Sequence, residues 1–268
     1  MRAGNDSLVR KQRHTVLEDY IRKRTEEKGI LMMAHVVVGH PSLEESFELV
    51  RVIVSAGVDL MELQIPFSEP IADGPVILQA NQSALAAGVK VDDCFEFAHR
   101  VNQTFDIPFL FMSYYNIVFK RGEDRFFDEA KEAGIQGTIV PDIPPEEGEA
   151  YVAAAYTHGI DPIFILSPTT TADRLAYLAG FGRGFFYCVA RKGITGAKTT
   201  FSSELDQFLG RCRGVTPLPL ALGFGVSQKA DVDFLKGKVE IAVVGSQAIR
   251  VLNASGVEAV GGFFRTLC

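Results

Sequence analysis

The chain has few cysteines. Of 268 residues only Cys94, Cys188, Cys212 and Cys268 are cysteine, and no two form a CxxC pair. That excludes a zinc ribbon or a thioredoxin-type motif and predicts free thiols in a reducing cytoplasm. Long apolar runs are missing as well, so no membrane-spanning helix is expected. Residues 1–13 lack an apolar core and a small-residue cleavage site. They read as part of a frayed tail over 1–14 rather than a secretory signal. Positive charge is not in excess: 27 Lys and Arg stand against 33 Asp and Glu, a formal net charge of −6. This balance argues against a nucleic-acid binder held by phosphate neutralisation. No HxH, HExxH or Cys/His cluster suggests a metal, and no GxSxG suggests a serine nucleophile. No GxGxxG follows the first apolar run, which weakens a dinucleotide fold. Neither a metal nor a cofactor is therefore expected. No Pro/Gly/Ser-rich linker divides the chain, so residues 15–268 are read as one domain.

What is present is a rhythm. Short apolar runs rich in Val, Ile and Phe fall at 31–38, 60–65, 109–112, 137–140, 162–166, 185–189, 218–222 and 241–244. Amphipathic stretches alternate with them at 43–56, 91–104, 125–133, 146–158, 172–179, 203–211, 229–235 and 257–267. Each strand-like run is followed by a helix, which predicts an α/β fold, a (β/α)8 TIM barrel of about 250 residues. A charged helix over 15–28 closes its bottom, and extra short helices are expected at 77–87 and 247–252, after the second and eighth strands. In such barrels chemistry sits at the C-terminal strand ends.

Three glycine-rich segments follow the late strands: Arg191-Lys192-Gly193-Ile194-Thr195-Gly196-Ala197, Gly223-Phe224-Gly225-Val226-Ser227, and Gly245-Ser246-Gln247. Glycines admit close approach of an anion to the backbone, and a helix N-terminus presents its N–H groups to it. The expected phosphate site is made by the amides of Gly196, Gly225 and Gly245 and by Ser246 through its amide and hydroxyl. Thr195 sits on a loop whose glycine neighbours would let it close over substrate. Each segment alone reads equally as a tight turn; three together favour a phosphate.

The second unit carries two acids, Glu62 within the strand and Asp73 on the following loop. Strand residues alternate, so Glu62 and Gln64 face one way and Met61, Leu63 and Ile65 the other. A charge against the helix layer would be costly without a partner, which places Glu62 in the lumen. Pro66, Pro70 and Pro75 stiffen the loop that holds Asp73. Asp73 alone reads as a turn residue and Glu62 as a salt-bridged one. Paired opposite a phosphate site, they read as acid/base groups acting on a phosphorylated small molecule. His35, in the first strand, is a lumen candidate or a core histidine.

The stretch from Glu62 to Pro75, reading ELQIPFSEPIADGP, resembles the signature of the tryptophan synthase alpha subunit family. Arg191 to Gly196 resembles that family's sixth loop, and Gly223-Phe224-Gly225 and Gly245-Ser246 resemble its phosphate turns. The resemblance implies retro-aldol cleavage of indole-3-glycerol phosphate. Glu62 would be the proton donor to indole C3, and Asp73 the group that takes the charge developing at the indole N–H. It also implies Tyr187 beside Glu62, and Phe224, Tyr114, Met112 and Ile165, with His35, lining the indole pocket. The partner it implies is a pyridoxal-phosphate beta subunit in an alpha2-beta2 tetramer. Four positions depart from the family's pattern: His35 for a Phe, His40 for an Asp, Gln64 for a Gly and Glu69 for an Asp. The alternatives are a stand-alone paralogue cleaving a related glycerol phosphate and a non-catalytic phosphate-binding regulatory barrel.

Overall fold

The computed structural model describes residues 14–190, 198–223 and 225–268. The expected tail lies outside them, His14 apart. The first half of the chain runs α1 (Val16–Lys28), β1 (Leu31–Val37), α2 (Leu43–Ser55), β2 (Leu60–Gln64), α3 (Pro75–Ala86), α4 (Val91–Thr104), β3 (Phe109–Met112), α5 (Tyr115–Arg121), α6 (Glu123–Glu132) and β4 (Gly137–Ile139). The second half runs α7 (Glu149–His158), β5 (Asp161–Ile163), β6 (Ile165–Leu166), α8 (Ala172–Ala179), β7 (Phe186–Val189), α9 (Lys198–Arg213), β8 (Leu220–Gly223), α10 (Lys229–Leu235), β9 (Ile241–Val244), α11 (Ser246–Ser255) and α12 (Val257–Leu267).

All strand pairings are parallel, in the order β5-β4-β3-β2-β1-β9-β8-β7-β6. The two ends of that order are halves of one run. β5 pairs with β4 and β6 pairs with β7, so residues 161–166 close the sheet into a barrel. The expected fifth strand is thus real but split at Phe164, giving nine segments where eight were expected. Pro162 brings no N–H to the ladder. The Phe164 carbonyl turns instead to accept the Tyr187 N–H at 3.0 Å.

Alternation sorts the side chains into two layers. Leu31 and Met33 of β1, Leu60 of β2, Leu110 and Met112 of β3 and Ile139 of β4 fill the lumen. Met32, Ala34, Val36, Met61, Leu63, Phe109 and Phe111 pack outward among the helices. Leu17 and Ile21 of α1 belong to the lumen cluster, so α1 plugs the N-terminal end as expected. Its N-cap Thr15 accepts the Glu18 N–H at 3.2 Å. The expected extra helices are α3, which starts on Pro75 at its first position, and α11. They meet in a small apolar seam of Val37, Ala80, Ala84 and Ile249, where the alanines let the two helices come close. Two features depart from expectation. α7 begins at Glu149 rather than 146 because Pro144 and Pro145 hold a turn closed by the Gly148 N–H on the Pro144 carbonyl at 2.9 Å. α5 forms although no helix was expected there, its first amide satisfied by Asp142 Oδ1 at 2.8 Å.

At the plugged end, Thr15 Oγ1 donates to the buried Asp161 Oδ2 at 2.5 Å. Burial pushes the Asp161 carboxyl up to about 7, against the opposing pull of the Thr15 hydrogen bond and of Arg183. Its folded value lies above the roughly 3.9 of an unfolded Asp, so this group's contribution is complete below pH about 4 and is lost as pH rises through about 7. Asp161→Asn should therefore gain stability over the parent by roughly 2 kcal/mol more at pH 8 than at pH 5. Urea unfolding of both proteins at the two pH values measures this, and an equal difference at both would remove the buried carboxylate as the cause.

Candidate active site

The site grows from the register of β1 on β2. His35 lies directly opposite Glu62, and both point into the lumen. His35 is 3% and Glu62 4% exposed, and His35 Nδ1 donates to Glu62 Oε1 at 2.7 Å. Burial disfavours the imidazolium, but the charge and hydrogen bond of Glu62, with Asp73 and Gln64 behind them, outweigh it and hold His35 above its ordinary value. Two residues further along β2 the same face carries Gln64, whose Nε2 donates to Asp73 Oδ2 at 2.7 Å.

Asp73 is held from three sides. Its own N–H donates to the Pro70 carbonyl at 3.0 Å, Gln64 reaches it from the strand, and the Tyr114 hydroxyl donates to Oδ2 at 3.0 Å. Tyr114 also accepts the Ala72 N–H at 3.1 Å and stacks on Phe67 with ring centroids 5.1 Å apart. Asn81 of α3 accepts the Phe67 N–H at 2.9 Å, which ties the loop back to the helix that follows it. Burial, and then the Asp73 charge, push the Tyr114 phenol far above its usual range, so it stays a hydroxyl and a donor.

Glu62, Asp73 and His35 line a cavity of about 210 Å³. Gly225, Gly245 and Ser246 line it as well, Gly245 close beside His35, and Met112, Ile165 and Tyr187 complete the wall. Ser246 and Gln247 open α11, where first-turn N–H groups have no partner within the helix and the helix dipole favours an anion. At the end of β8, Gly223 gives Tyr187 room: a Cβ there would stand 3.1 Å from the tyrosine hydroxyl and push the ring aside. Burial, then the charges of Glu62 and Asp73, raise the Tyr187 phenol well above its ordinary value.

Of the expected site residues, the structure brings together Glu62, Asp73, His35, Met112, Ile165, Tyr187, Gly225, Gly245 and Ser246. Tyr114 stands behind Asp73 as its hydrogen-bond donor rather than on the cavity wall. Thr195, Gly196 and Phe224 lie outside the described residues. Sequence reasoning missed the grip of Gln64 on Asp73 and the wall residues Ile77, Val226 and Gln247. The first had a signal, since Gln64 shares the face of Glu62; Val226 and Gln247 lay inside the glycine-rich segments without being singled out, and Ile77 had none. His40, a departure from the family's pattern, bonds Asn253 on α11 at 3.0 Å and does not line the cavity. Glu69, another, is exposed on the β2–α3 loop.

Gly245 tests the anion end. A Cβ there meets its nearest neighbours, His35 Cβ and Ile77 Cδ1, at 3.7 and 3.9 Å, ordinary contact distances, so the backbone accommodates a side chain. Gly245→Asp should keep the thermal midpoint and weaken glycerol 3-phosphate binding at least about tenfold, or about 1.4 kcal/mol, through charge conflict. Calorimetric titration reads this, and unchanged affinity would move the phosphate elsewhere.

Comparison with known proteins agrees with this architecture. A family model described as tryptophan synthase alpha chain matches residues 21–260. The tryptophan synthase alpha chain of Syntrophotalea carbinolica is 59% identical over 252 residues, covering 94% of this chain and 100% of that protein. The tryptophan synthase alpha chain of Desulforapulum autotrophicum is 56% identical, with the same 94% and 100% coverage. Among solved structures, tryptophan synthase from Mycobacterium tuberculosis superposes with a TM-score of 0.88 at 27% identity, over 95% of this chain and 97% of that one. Tryptophan synthase subunit alpha from Legionella pneumophila gives 0.86 at 27% identity, again with 95% and 97% coverage. A barrel of this topology, its paired acids and glycine turns around one cavity, and relatives this similar over nearly the full length lead to one conclusion: the chain belongs to the tryptophan synthase alpha chain family.

Proposed function

We propose that the chain is a lyase that cleaves indole-3-glycerol phosphate to indole and glyceraldehyde 3-phosphate. The observation that carries this reading is that one cavity is lined both by Glu62 and Asp73 and by the amide-bearing turns at Gly225, Gly245 and Ser246. The phosphate is gripped at the N-terminus of α11, and the ring lies between Met112, Ile165 and Tyr187, near both acids. Glu62 gives a proton to ring carbon C3. The positive charge this places on the ring nitrogen is stabilised by the Asp73 carboxylate. With C3 protonated, the bond from C3 to the glycerol chain breaks, its electron pair returns to the ring, and the neighbouring hydroxyl carbon becomes the aldehyde. The hydroxyl proton leaves to the Glu62 carboxylate, which restores the acid. Charge developing next to a fixed carboxylate in a small cavity is where such stabilisation is largest.

The partner in this reading is a pyridoxal-phosphate beta subunit, in an alpha2-beta2 assembly. Two large apolar side chains support a covering surface on this end of the barrel: Ile71, on the β2–α3 loop, is 80% exposed, and Phe119, on α5, is 65% exposed. Among the described residues no helix is long and apolar enough to cross a membrane. An assay with indole-3-glycerol phosphate, with and without added beta subunit, tests both statements. Indole release that rises on adding the beta subunit is expected. No release under either condition would end the cleavage reading, and release indifferent to the beta subunit would end the partner reading.

A further inference from the structure

We propose that His35 is a positioning residue for proton transfer at Glu62: its Nδ1–H orients the carboxyl across 2.7 Å, and the two side chains hold one proton between them. This rests on the cleavage reading above.

The barrel does not need this pair for packing. The lumen-facing neighbours on β1, Leu31 and Met33, belong to the apolar lumen cluster, and a similar residue would fill the His35 position. Nor is the pair used up in structural hydrogen bonds. Glu62 Oε2 is buried and has no hydrogen-bond partner among the described residues, and the second ring nitrogen of His35 has only the uncharged Gln64 side chain beside it. Buried polar atoms are seldom left so in a purely structural contact. Both residues line the cavity.

Charge decides how many protons the pair keeps. The titratable groups facing it are Asp73 on the loop after β2 and Tyr187 on β7, with uncharged Gln64 alongside on β2. With one proton shared, the pair carries no net charge. It is either imidazolium with carboxylate, or neutral imidazole with the proton on Oε2 of a carboxylic acid. Loss of that proton leaves a buried negative charge beside Asp73, which burial and repulsion both oppose. The direction of the His35 shift agrees with this. The two groups titrate as one unit, so the retained proton belongs to the pair and not to either residue alone.

The consequence is a stored proton. In the form with neutral imidazole, Nδ1–H still donates to Oε1 while Oε2 carries the proton that goes to the ring carbon. After transfer, Glu62 is a carboxylate held by the same Nδ1–H, and the substrate hydroxyl reloads it. Without His35 the carboxyl loses both its orientation and the partner with which it shares the retained proton.

The test uses kcat and KM across about pH 5.5 to 9 for the parent, His35→Phe and His35→Asn, together with nuclear magnetic resonance titration of the His35 ring. Asparagine offers an amide N–H close to the position of Nδ1 but cannot take a charge. His35→Phe should lower kcat at least about tenfold near pH 8 with KM within about twofold. His35→Asn should recover much of that loss near pH 6, while its activity falls away about one pH unit earlier on the alkaline side. The parent His35 signal, identified by its absence in His35→Phe, should titrate above the ordinary value of about 6.5 and move down in Glu62→Gln. A pH profile of His35→Asn identical to the parent, or a His35 titration indifferent to Glu62→Gln, overturns the proposal. A parent that releases no indole would count against the cleavage reading alone, because the titration needs no substrate and still decides the pairing.

Discussion

Glu62→Gln should lower kcat by about 10²–10⁴ while leaving the unfolding midpoint and glycerol 3-phosphate affinity close to those of the parent. The amide has nearly the shape of the carboxyl, and its Oε1 still accepts the His35 Nδ1–H, so the β1–β2 contact survives. What disappears is a transferable proton. With a neutral amide opposite it, the buried His35 is favoured as neutral imidazole, so the fold does not carry an unpaired charge. The turns at Gly225, Gly245 and Ser246, where the phosphate is proposed to sit, follow other strands and keep their backbone. Steady-state kinetics and calorimetric titration separate the two ends. Turnover equal to the parent would remove Glu62 from the chemistry, and a matching loss of phosphate affinity would mean the substitution had disturbed the whole cavity.

Asp73→Asn should cost about 10² in kcat with a smaller change in KM, because it removes charge and keeps geometry. The asparagine Oδ1 can still accept from Gln64 Nε2 and from the Tyr114 hydroxyl, the two groups that hold the aspartate. The ring then protonates at C3 without a counter-charge at its nitrogen, and the penalty falls on the transition state rather than on binding. Measuring kcat and KM separately checks this: a change confined to KM would make Asp73 a binding residue only.

The barrel could be read from the sequence because its cause is local. Apolar runs of strand length alternating with amphipathic ones allow few arrangements, and every expected run became a strand. Glu62 was equally readable, since a carboxylate inside an apolar strand has only two directions in which to point. What escaped the sequence was tertiary. The bonds of Asp73 to Gln64 and Tyr114 span nine and 41 residues, and no period in the chain announces them. The His35–Glu62 pair depends on parallel register, in which one residue of slip would turn His35 outward. The split of the fifth strand arises from Pro162 meeting a barrel that must close, a condition invisible until the eight strands are assembled.

The small seam of Val37, Ala80, Ala84 and Ile249 bears on substrate choice. α3 follows the loop that carries Asp73, and α11 begins at the turn proposed to bind the phosphate, so these two parts of the cavity wall are joined through this contact. Alanine against isoleucine is a contact with little slack, and close-packed interiors do not stretch gradually. On the proposed reading the barrel therefore fixes the spacing of Asp73 from the phosphate turn, and a ligand whose ring and anion are spaced otherwise meets one of them but not both.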